Sequence, residues 1–111
     1  MLNRYIIERK IPGVGSGSDA DFGKMASKSN EVLTSLGPKI QWVQSFITKD
    51  KVYCEYLAEN EDIVKEHAKL AGFPADSVLK VNHVCDPTEA ESDFDAIRKP
   101  ETSGKQSNLH A

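Results

Sequence analysis

This chain has no strong excess of either charge. Its 111 residues carry 14 Lys or Arg against 17 Asp or Glu, a formal net charge of −3. With no basic excess there is no electrostatic footprint for nucleic acid or for an anionic membrane. Residues 1–86 hold 11 basic and 12 acidic side chains and residues 87–111 hold 3 and 5, so the mild acidity belongs mainly to the C-terminal stretch. Long apolar runs are missing as well. The opening MLNRYIIERK brackets Tyr5-Ile6-Ile7 with charge, which fits neither a secretory signal nor a membrane span of about 20 residues. Cysteine is scarce. Cys54 and Cys85 are too few for a disulfide scaffold and too far apart for a close-spaced metal knuckle, so a reduced, cytoplasmic protein is expected. No nucleophile–base pair and no phosphate loop stands out. The run Gly13-Val14-Gly15-Ser16-Gly17 lacks the final glycine of a dinucleotide-binding turn.

What is present is regular patterning over the first 86 residues. Leu2–Arg9 reads as a strand, and Pro12 to Ser18 as a flexible Gly/Ser loop. Ser18 or Asp19 caps a helix whose stripe is Phe22, Met25, Ala26, Ser29, Val32, Leu33 and Leu36, closed by Gly37-Pro38. Two strands, Ile40–Thr48 and Val52–Leu57, flank a Lys49-Asp50-Lys51 turn. Asn60 caps a second helix with the stripe Ile63, Val64, His67, Leu70 and Ala71, ending at Gly72, and Leu79–Cys85 reads as the last strand. The order strand, helix, strand, strand, helix, strand predicts an α+β fold, a ferredoxin-like βαββαβ sandwich. Its four-stranded antiparallel sheet carries both helices on one face. This domain spans 1–86. A polar extension follows at 87–111, with a short amphipathic turn around Phe94 and Ile97 and a disordered stretch at Thr102–Ala111.

The central hairpin is apolar on both sides. Ile40, Trp42 and Phe46 alternate with Val43 and Ile47, and Val52, Cys54 and Tyr56 alternate with Tyr53 and Leu57. A hairpin with one wet face would alternate apolar with polar. The second side therefore needs a cover, most simply a second copy of the chain, giving a homodimeric α+β barrel. Tyr5, Trp42, Phe46, Tyr53 and Cys54 are the residues from which a small-molecule pocket would be built there. For metal, His67 lies on the apolar stripe of the second helix, and His83 and Cys85 sit two apart on the last strand. Glu8 on the first strand, with Glu55 and Asp86, adds carboxylates. Such N, S and O donors suit Ni²⁺, Zn²⁺ or Cu.

Several of these strings resemble a family of small ferredoxin-like proteins linked to nickel response. They are Glu8-Arg9-Lys10-Ile11-Pro12-Gly13, Gly37-Pro38-Lys39-Ile40-Gln41-Trp42-Val43, Tyr53-Cys54-Glu55-Tyr56, Glu66-His67-Ala68 with Ala71-Gly72-Phe73-Pro74, and Asp86-Pro87. The resemblance covers residues 4–90 in order. It implies a dimeric α+β fold and surface binding of nickel, with Glu8, Cys54, His67 and Asp86 at recurrent positions. His83, Glu55 and the long Gly/Ser loop depart from the usual pattern. The expected function is thus a divalent transition-metal protein, Ni²⁺ first, acting in sequestration or metal response, with His67, His83, Cys85 and Glu8 as metal donors. The alternative is a small-molecule-binding enzyme of the dimeric α+β barrel type, oxygenase- or isomerase-like.

Overall fold

The computed structural model describes residues 1–92 of the chain. Four strands, β1 (Asn3–Lys10), β2 (Ile40–Ile47), β3 (Lys51–Ala58) and β4 (Ser77–Lys80), form one antiparallel sheet in the order β2-β3-β1-β4. Helices α1 (Asp19–Leu36) and α2 (Glu61–Ala71) occupy the crossovers. This is the ferredoxin-like sandwich that the order of elements predicts.

The helix boundaries follow from local chemistry. The Ser18 side chain accepts the Asp21 amide while the Asp21 carboxylate accepts the Ser18 amide, a complete capping box. The Asn60 side chain accepts the Ile63 amide at the start of α2. Gly72, at φ 76°, closes α2 in the left-handed region where glycine carries no side-chain clash. The loop before α1 is not the free Gly/Ser linker its composition suggests. It forms a 3₁₀ turn at Val14–Ser16 pinned to the β2–β3 turn, with Gly15 N–H donating to Lys49 O and Gly13 N–H to the Asp50 carboxylate. A Cβ on Gly15 would stand 2.6 Å from Thr48 O, so the approach needs glycine.

The inner face of the sheet carries Tyr5 and Ile7 of β1 and Val52, Cys54 and Tyr56 of β3, all buried with Val64 of α2 in one core. Three expectations need correction. First, β2 does not alternate through its length. A β-bulge between Trp42 and Gln44 inserts Val43 as an extra residue. Trp42 therefore opposes Tyr56 and faces the helices, and beyond the bulge the parity reverses. Ile47 joins the inner side opposite Val52, while Phe46 turns outward opposite Tyr53 and is 57 % exposed. Second, the last strand is Ser77–Lys80 and not Leu79–Cys85. It pairs with Glu8 back to Tyr5, Val81 N–H reaches Arg4 O, and β1 then runs out at Asn3. No partner backbone is left for His83 or Cys85. Third, the buried stripe of α2 is Val64, His67, Ala68 and Ala71, with Leu70 half exposed.

The outer face is also less apolar than the hairpin pattern suggests. Ile6, Phe46, Leu57 and Leu79 are interleaved with an Arg4–Glu55 ion pair and a Lys51–Glu8 pair at 3.2 Å. Of the polar extension, only a 3₁₀ turn at Pro87–Ser92 falls within the described residues. The expected turn at Phe94–Ile97 and the 102–111 stretch lie outside them. No described helix is long and apolar enough to cross a membrane.

Candidate functional site

The inner face of the sheet does not close completely under α1. A cleft of ≈ 220 Å³ remains, walled by Phe22 and Met25 of α1, Trp42 of β2 and Phe73 beyond α2, with Arg9 and Cys54 at its sheet side. Arg9 is there because β1 alternates: Tyr5, Ile7 and Arg9 share one parity and point inward together. It is the largest fully buried side chain. Its Nη1 donates to Pro74 O at 2.6 Å, its Nε to Cys54 Sγ at 3.4 Å, and its Nη2 stands 3.5 Å from the Tyr56 hydroxyl. The guanidinium also lies 5.5 Å from the Phe73 ring centroid. Ser45 donates to Cys54 Sγ at 3.0 Å and accepts the Trp42 indole N–H at 2.9 Å. Those contacts fix two of the polar edges.

Beside the cleft, His67 is fully buried. Its Nε2 is 3.1 Å from Ser29 Oγ and its ring stacks obliquely on Tyr56 at 5.1 Å, while Nδ1 has no hydrogen-bond partner among the described residues. Burial, reinforced by the Arg9 charge, lowers the His67 pKa to about 4, so the imidazole is neutral at physiological pH. Burial likewise raises the Tyr56 phenol above its usual range, with Cys54 adding to the rise.

The residues expected to form a metal set or a pocket are distributed over three places. Tyr5, Trp42 and Cys54 are on the helix-covered face, whereas Phe46 and Tyr53 are on the open face, so the five do not line one pocket. Among the expected metal donors, His67 is inside the core. Glu8 is on the opposite face of the sheet, held by Lys51 and approached by the Tyr53 hydroxyl at 3.4 Å. His83 and Cys85 lie past β4, both exposed, and His83 Nε2 pairs with Glu89 Oε1 at 2.6 Å. Both cysteines are free thiols. Among the described residues no three His, Cys, Asp or Glu side chains converge on a point that could hold a metal ion. Arg9, in contrast, stands out in the sequence only as part of the Glu8–Gly13 motif. The signal that places it inside is its parity with Tyr5 and Ile7, which outweighs its charge.

The fold and cleft define a ferredoxin-like α+β sandwich with a mostly apolar pocket between α1 and the sheet, carrying the Arg9 cation at its sheet side. The chain belongs to the family described as "Nickel responsive protein SCO4226-like", which it matches over residues 5–81. That match takes in β1 from Tyr5 onward, the other three strands and both helices. Among curated proteins none matches it in sequence. The crystal structure of SCO4226 from Streptomyces coelicolor A3(2) is similar in fold, with a TM-score of 0.63 and 13% identity. The aligned region covers 74% of this chain and 99% of that one.

Proposed function

We propose that this chain is a metal-responsive protein that binds Ni²⁺ directly as a homodimer. The observation that carries this reading is the family match over residues 5–81. The structure narrows which donors are serviceable. His67 is unsuited, because its ring is sealed in the core. A cation in the cleft would meet the Arg9 charge beside Cys54. His83 is left as the anchor. It is exposed, already beside the Glu89 carboxylate, and two residues from the Cys85 thiol. An imidazole–carboxylate pair suits Ni²⁺, with water or a second chain supplying the remaining positions.

Equilibrium dialysis against Ni²⁺ tests this assignment. Stoichiometric binding at micromolar metal is expected, weakened about tenfold or more in His83→Ala and unchanged in His67→Gln. Absence of stoichiometric uptake, or a loss confined to His67→Gln, rejects the assignment.

The second copy is proposed to cover the open face through Ile6, Phe46, Leu57 and Leu79. Leu79 is 61 % exposed in the single chain. Arg4 with Glu55 and Lys51 with Glu8 are already paired on that face, and Lys10, exposed at the end of β1, lies at its margin, so covering the centre strands no charge. Light scattering on the eluting protein is expected to give twice the 12.3 kDa chain mass, falling to the single-chain mass in Phe46→Asp. A single-chain mass for the unchanged sequence contradicts the dimer.

A further inference from the structure

Arg9 has no anionic partner among the described residues. Every group it touches is formally neutral: a carbonyl, a thiol, a phenol and an aromatic ring. No Asp or Glu among the described residues lines the cleft. A guanidinium has five N–H donors and cannot shed its proton in a protein. Here the contact to Pro74 O is short and the 3.4 Å contact to Cys54 Sγ is ordinary for sulfur, but the 3.5 Å contact to the Tyr56 hydroxyl is long, and no contact brings a negative charge. Burying such a charge without a counter-ion costs several kcal/mol, and neutralisation by proton loss is not open to arginine. A charge held at that cost beside an apolar cleft is the arrangement expected of an anion site waiting for its anion.

We propose that this cleft binds a small monocarboxylate with an aromatic or branched apolar body. The carboxylate docks on Arg9, where planar two-point hydrogen bonding matches the guanidinium fork. The apolar body lies between Trp42, Phe73 and the α1 side chains Phe22 and Met25. Size sets the class. An apolar cavity of about 150 Å³ takes up benzene, so ≈ 220 Å³ admits one ring with a short acid arm and excludes nucleotides and long acyl chains. Charge sets it further. One cation in an apolar enclosure compensates one negative charge, and a phosphate dianion or a dicarboxylate would bring a second, unpaired one. This site is separate from the nickel reading and does not depend on it.

The chain has one tryptophan, Trp42, and it forms a wall of the cleft, so its fluorescence reports occupancy directly. The probes are phenylacetate, hydrocinnamate and isovalerate, with phenylacetamide and inorganic phosphate as comparisons. A saturable change is expected with at least one of the three acids. Phenylacetamide is expected to bind about tenfold or more weakly than phenylacetate, and phosphate to give no saturable change. Arg9→Gln is expected to bring acid and amide to equal affinity. Ala26→Leu, which fills the cleft from α1 without touching Arg9, is expected to abolish the response while melting like the unchanged chain. That second variant decides the matter if Arg9→Gln does not fold. Equal binding of acid and amide, saturation by phosphate alone, no saturable response to any acid up to about 10 mM, or full binding by Ala26→Leu each overturns the proposal.

Discussion

Acidification from pH 7 to pH 4 is expected to strip about 3 kcal/mol from the stability of this fold through His67 alone. The imidazole is neutral and sealed in the core, with its pKa lowered to about 4 by burial and by the Arg9 charge. In the unfolded chain it titrates near its ordinary value of 6.5. Between those two values the unfolded state binds the proton and the folded state does not, so stability falls as the pH falls. Above 6.5 the contribution is fully present, and below about 4 it is lost and the curve flattens. His67→Gln keeps a side chain able to hydrogen-bond Ser29 but removes the titration. Urea midpoints measured in steps from pH 7 to pH 4 should therefore slope steeply for the unchanged chain and much less for the variant. Equal slopes, or a gain in stability on acidification, would falsify the assignment. The test isolates His67, because carboxylates such as Asp21, held low by Ser18, are common to both proteins.

Ile7→Ala is expected to cost about 2–5 kcal/mol, a large share of what a domain of this size has to lose. Ile7 is 0 % exposed on β1, which has β3 on one side and β4 on the other. The sheet therefore brackets the vacancy on two sides and cannot collapse into it cheaply. Leu70→Ala removes a similar volume from α2, where the side chain is half exposed, and is expected to change stability by no more than about 0.5 kcal/mol. Chemical denaturation of the two variants side by side checks both figures. Comparable losses would mean that the core is not centred on β1.

The contrast between these residues marks how far the sequence could be read. Local chemistry was legible: Ser18, Asn60, Gly37 and Gly72 bound the helices where their capping propensities put them. The order of elements was enough to fix the sandwich. The parity of β2 was not legible, because a bulge is a two-against-one count between strands and leaves no trace in the composition of one of them. Trp42 and Phe46, four apart in number, look like neighbours on one face and are not. The reach of β4 was hidden for a related reason. Alternation runs on to Cys85, but a strand needs a partner, and β1 has ended. Of the site, His67 was visible as a polar residue on an apolar stripe. Arg9 was harder, since charge argues for the surface and only its step of two from Ile7 argues for the interior.

The extra residue at Val43 has one more consequence, for how this sheet meets other sheets. With β2 and β4 outermost, each edge would present a row of unpaired backbone groups to any neighbouring chain. β4 offers only four residues, too short a template to recruit another strand, and β2 is interrupted near its middle by the bulge. A bulged strand twists away from flat pairing. Both flanks are thus blunted against the edge-to-edge stacking that leads to fibrils.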